Sequence, residues 1–159
     1  MGGKTRPPYA AAFRQQIVEL YANGRRIAVA PSRIAELEVI SKDRFDATRL
    51  AQMLAELDRA YIGHSFLSCT LLIRAILDHV PPIFGLTSFT QVANNYAGGG
   101  RSFRESMQHL ENASRKVADS YLHSQIRGRE SVPTKTQVEF RADIDVLIAE
   151  VVRVLRSGS

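Results

Sequence analysis

The chain has only one cysteine, Cys69, so it can form no disulfide within itself. One thiol cannot build a structural metal site, and no His-x-x-x-His pattern or carboxylate cluster offers another set of ligands. No metal and no cofactor are expected. A lone thiol in an apolar stretch suits a reducing compartment, which points to the cytoplasm. No apolar run approaches the roughly 18 residues that a membrane span needs. The first residues lack the charged-then-apolar pattern of an export signal, and no membrane association is expected. Also missing are the alternating apolar and polar residues of a half-buried strand and any internal repeat. Positive charge is in modest excess, at +5, and forms no tract. Arginine supplies most of it, which permits phosphate contacts without requiring them.

What remains is helical. At 45% hydrophobic the chain has enough apolar surface for a core. Phe13, Ile17, Leu20 and Tyr21 predict a helix over Tyr9–Asn23, stopped at Gly24. Residues 25 to 43 read as a linker interrupted by Pro31, with a helical turn near Ser32–Leu37. A second helix over Asp46–Tyr61 has Asp46 as its cap and buries Leu50, Met53, Leu54, Leu57 and Tyr61. A third, His64–His79, is apolar nearly all round and reads as the central, most buried element, ended by Pro81 and Pro82. A short helix is expected around Ser88–Tyr96, then a hinge at Gly98, Gly99 and Gly100. Ser102 and Glu105 have the spacing of a capping box for a helix reaching His123, with Phe103, Met107, Leu110, Ser114, Val117 and Tyr121 inward. Thr136 and Glu139 repeat that spacing before a last helix to Arg156, whose inner face is Phe140, Ile144, Leu147, Val151 and Leu155. Four long amphipathic helices after residue 45 predict an all-α four-helix bundle over 45–156, preceded by an N-terminal helical appendage over 1–44 and followed by a tail, 157–159.

Four stretches, Leu71–Gly85, Val92–Tyr96, Ser102–Asn112 and Arg115–His123, resemble the HEPN superfamily, and the likeness covers about residues 45 to 156. Many of its members are metal-independent ribonucleases in toxin or phage-defence systems, and others bind or dimerise without chemistry. The resemblance implies an RNA-binding or RNA-cleaving protein, with a homodimer and a protein partner as further expectations. The rival reading is a non-catalytic helical dimerisation or interaction module. A third is a DNA-binding regulator through residues 1–40, because Arg6–Leu20 resembles the start of helix-turn-helix regions in bacterial transposases.

The family's signature is Arg, a polar residue, and His after four to six residues. Arg74 and His79 have that spacing, but Ala75 follows the arginine. Arg115 and His123 have polar Lys116 after the arginine and seven intervening residues. Arg115, Asp119 and His123 recur every fourth residue, which stacks them on one outer helix face. There His123 could act as a general base and Arg115 could stabilise a phosphate in flight, across a dimer. Lys116, Arg127 and Arg129 are the candidate nucleic-acid contacts. Arg74, Asp78 and His79 form the second candidate, with a partly buried Arg74–Asp78 ion pair as the structural alternative. His79, at a helix C-terminus, is expected to be held as a cation. His64 and His109 read as isolated surface residues.

Overall fold

The computed structural model describes residue 15, residues 29–40 and residues 44–158. Of the expected Tyr9–Asn23 helix only Gln15 falls within that set, and it is helical. The rest of that helix, and with it most of the possible DNA-reading element, lies outside the described residues. The described chain is all-α. Six helices pack together: α1 (Pro31–Val39), α2 (Thr48–Ile62), α3 (Phe66–His79), α4 (Phe89–Asn95), α5 (Gly100–Tyr121) and α6 (Arg141–Ser157), with 3-10 turns at Pro81–Phe84 and Thr136–Val138. No strand occurs among the described residues.

The long helices follow the apolar spacing. Leu50, Leu54 and Leu57 of α2, Ile76 and Leu77 of α3, Met107 and Leu110 of α5, and Ile144, Leu147 and Ile148 of α6 are all fully buried. Each such leucine contributes about 2 kcal/mol by leaving water. α3 lies between α2 and α5, and α6 closes the other side of α5. α2 starts at Thr48 with Ala47 as its N-cap, so Asp46 stands one residue before the expected capping place, where its carboxylate accepts the Thr48 N–H at 2.9 Å.

Pro31 is the first helical residue of α1, a place where its missing N–H costs nothing. The stretch expected as a linker therefore carries a helix, whose buried Ile34 and Leu37 pack against α2 and α6. Just before it, Val29 is buried, and its N–H donates to the Asp58 carboxylate of α2 at 2.7 Å.

Other expectations are corrected. α3 buries one side only: Cys69, Thr70, Ile73, Ile76 and Leu77 face inward, while Leu67 is 45% and Leu71 52% exposed. α3 ends at His79, just before the prolines, as expected, but the apolar residues continue through the 3-10 helix Pro81–Phe84. Phe66–Phe84 is consequently long and apolar enough, by length and composition, to cross a membrane, against the expectation of no such run; 44% of its apolar window is buried inside the protein. Neither capping box forms. α5 already starts at Gly100, so Ser102 sits inside its first turn, and Glu105 pairs with Arg101 at 2.8 Å. Thr136–Val138 is a separate 3-10 turn, and α6 begins after it at Arg141. The glycine run is not a bare hinge. A Cβ on Gly98 would lie 2.3 Å from the Tyr96 hydroxyl, and one on Gly99 2.4 Å from the Phe103 ring. Tyr96 and Phe103 meet edge-on at 5.5 Å, and Phe84 joins them.

Candidate functional site

α5 carries the better of the two Arg/His pairs. Its inner residues are Phe103, Met107, Leu110, Ser114 and Ala118, and Glu111 is buried among them at 4% exposure. A buried carboxylate must be paired and hydrogen-bonded. Arg115, one turn further along α5, donates to Glu111. The Thr90 hydroxyl of α4 donates to the same carboxylate at 2.8 Å, and Arg115 also reaches Thr90 at 3.3 Å. From α3, Arg74 approaches Glu111 at 3.7 Å and pairs with Asp78 at 3.0 Å. The bond to Glu111 raises the Arg115 pKa and fixes its charge.

The structure thus joins the two arginines that sequence spacing treated as rival sites. Arg74 and Arg115 share one carboxylate, and the expected Arg74–Asp78 pair forms as part of that cluster. Glu111 itself was missed. The available signal was a lone acid falling within the apolar stripe of α5, four residues before an arginine.

The histidines do not join the cluster. α5 ends at Tyr121, so His123 lies beyond the last helical residue and is exposed. The expected Arg115–Asp119–His123 stack is opened at its first member, because Arg115 turns back to Glu111. Asp119 is exposed. His79, half-buried at the end of α3, has its pKa lowered by burial and then by the Arg49 guanidinium, so the expected cation is disfavoured. Burial outweighs the helix dipole there.

Lys116, Arg127 and Arg129 are all exposed. The Arg127 guanidinium donates to the Ser124 hydroxyl at 3.1 Å, and its backbone N–H to Glu130. The loop from Leu122 to Lys135 that holds both arginines also exposes Ile126 at 94% and Val132 at 73%.

No family model, curated protein or solved structure matches the chain. The chemistry of the site therefore rests on its own geometry.

The Glu111 cluster holds two arginines against two carboxylates, so its formal charge is zero. An incoming phosphate would have to displace Glu111 or Asp78. The cluster acts as a clasp joining α3, α4 and α5. Three further polar groups tie the bundle. His109, expected to stand alone, meets Asp143 of α6 at 2.7 Å. Glu139 accepts from Tyr61 and Arg141. Glu150 accepts from Tyr96 at 2.6 Å and from Arg153 at 2.6 Å, and the Arg153 bond is the main cause of its lowered pKa. Burial pushes the Cys69 thiol up to about 11, which makes it a poor nucleophile. No group of three or more His, Cys, Asp or Glu residues that could hold a metal occurs among the described residues.

Proposed function

We propose that this chain is a HEPN-like helical module that binds RNA through the end of α5 and the loop after it. One observation carries the reading. Arg33, Arg74, Arg101, Arg115, Arg141, Arg153 and Arg156 are all engaged with carboxylates. Arg49, Arg104, Lys116, Arg127, Arg129 and Lys135 are exposed and in no carboxylate ion pair among the described residues, and four of them, Lys116, Arg127, Arg129 and Lys135, fall at the end of α5 and in the loop after it, with exposed His123 between them. Binding a phosphate backbone needs cations not already neutralised. The resemblance to HEPN proteins favours RNA over DNA and a setting in bacterial defence or toxin systems. Cleavage is the stronger form of the proposal: His123 would take a proton from the 2′-hydroxyl as its oxygen attacks the phosphorus, the 5′-oxygen would leave taking a proton from water, and Arg115 would have to exchange Glu111 for the phosphate.

The test is RNA binding across a salt series. Replacing Lys116, Arg127 and Arg129 together by alanine is expected to weaken binding and to reduce the slope of log affinity against log salt by about 2. Equal binding and equal slope would show that RNA does not bind here. Cleavage is assayed on the same RNA with His123→Ala and Arg115→Ala; if both cut as well as the wild type, the chemistry lies elsewhere.

A second reading, a non-catalytic protein-interaction module, is favoured by Ile126 and Val132. Two large apolar side chains that far exposed on one loop are a common mark of a protein contact. Loss of a partner on Ile126→Asp with RNA binding unchanged would support it.

A further inference from the structure

α3 and α5 run antiparallel, with Phe84 meeting Phe103 at one level and Arg74 meeting Glu111 at the next. At that second level the two oxygens of Glu111 are served unequally. Oε1 takes the Thr90 hydroxyl at 2.8 Å and the Arg115 guanidinium. Oε2 is buried, accepts no hydrogen bond among the described residues, and faces Nη1 of Arg74 at 3.7 Å. That Nη1 is buried too and donates to nothing among the described residues. Buried polar groups are ordinarily bonded. Here a matched donor and acceptor stop about 0.8 Å beyond the length of an ordinary N–H···O bond. The other nitrogen of the fork, Nη2, is occupied with Asp78 at 3.0 Å.

Arg115 differs from its partner in freedom. Its side chain is 50% exposed, against 6% for Glu111. The guanidinium can turn out to solvent beside exposed Lys116, and the carboxylate cannot follow. If Arg115 left with nothing in exchange, Glu111 would keep Thr90 alone, and a buried charge without a counter-ion is strongly unfavourable. Arg74 removes that obstacle. A small shift puts Nη1 on Oε2, so that each oxygen of Glu111 keeps one donor. Asp78 loses little by this, because its side chain is 58% exposed and water can serve it. A guanidinium suits the exchange, since its planar fork can hold two carboxylates at once.

We propose that Arg74 is the reserve partner of Glu111, closing on that carboxylate when Arg115 turns out to take a phosphate of the RNA backbone. The proposal rests on the RNA reading above. It makes Arg74 a positioning residue, which touches no RNA and sets whether Arg115 can.

RNA affinity of the full chain is measured over a salt series. Arg115→Ala is expected to make the log–log slope shallower by about 0.7–0.9, the loss of one phosphate contact. Arg74→Ala should do the same, because Arg115 then stays on Glu111. Adding Glu111→Gln to Arg74→Ala should restore the wild-type slope, because a neutral amide no longer retains Arg115. Without RNA, the urea midpoint should fall little for Arg74→Ala or Arg115→Ala alone. The double variant should fall by more than the sum, or show no cooperative unfolding at all. A wild-type slope in Arg74→Ala overturns the exchange and leaves RNA binding through Lys116, Arg127 and Arg129 standing. A slope that Glu111→Gln fails to restore also overturns it, and makes Arg74 an RNA contact in its own right. Midpoint losses that merely add overturn it whatever the RNA result. A wild-type chain that binds no RNA overturns both this exchange and the RNA reading.

Discussion

Glu111 is the residue on which three helices agree. Its carboxylate is nearly dry and takes donors from Thr90 and Arg115, with Arg74 close by. Removing one partner of such a group leaves the others desolvated without a match. The two arginines keep part of their hydration, so the loss stays below that of a fully buried pair. Glu111→Ala is expected to cost about 2 kcal/mol, read as a lower urea midpoint with an unchanged slope. Glu111→Gln should cost less, since it keeps the Thr90 contact. This residue was not legible from the sequence. The rule that pairs residues four apart was applied forward from Arg115, to Asp119 and His123, and the arginine turned backward. Helix periodicity gives both directions equal weight; burial of the acid decides between them.

Among the elements, α2, α3, α5 and α6 were legible because their apolar residues recur at helical spacing over several turns. Their C-terminal ends were legible to within two residues, and the starts of α5 and α6 were not. Both Ser/Thr-x-x-Glu patterns were read as starts, yet α5 begins two residues before Ser102 and α6 five residues after Thr136. In the first case the reason is the glycine run. Gly100 has φ +73, a conformation that suits glycine, and Gly99 lies against Phe103, so the helix start is fixed by packing. Gly99→Ala places a methyl group where the buried Phe103 ring stands. The resulting overpacking is expected to destabilise by about 1–3 kcal/mol, measured by thermal or urea unfolding. Gly85→Ala is a useful contrast. A methyl there meets nothing within 4 Å, so any loss comes from its φ of +71 alone. Proline misled once: Pro31 was read as a break and begins a helix, whereas Pro81 and Pro82 were read as a stop and α3 does end just before them, at His79, with a separate 3-10 turn following.

At the scale of the whole molecule, the all-α class was readable from composition and period together. How the candidate residues group in space was not. Arg74 and Arg115 are far apart in the chain, and only the antiparallel packing of α3 and α5 brings them to one carboxylate. The same packing leaves both motif histidines outside the cluster. The cations proposed for RNA lie on a loop, where no periodicity exists to be read.

The bond from Val29 to Asp58 has a practical consequence for anyone who shortens the chain. A fragment begun at residue 45 keeps every long helix, yet it strips α1 from α2 and α6 and removes a donor from a fully buried aspartate. Such a fragment is expected to melt well below one begun at residue 28 and to aggregate as its uncovered groove meets its neighbours in solution. If both fragments melt alike, Val29 and α1 add nothing to the stability of the bundle; if they do not, the stable unit needs them.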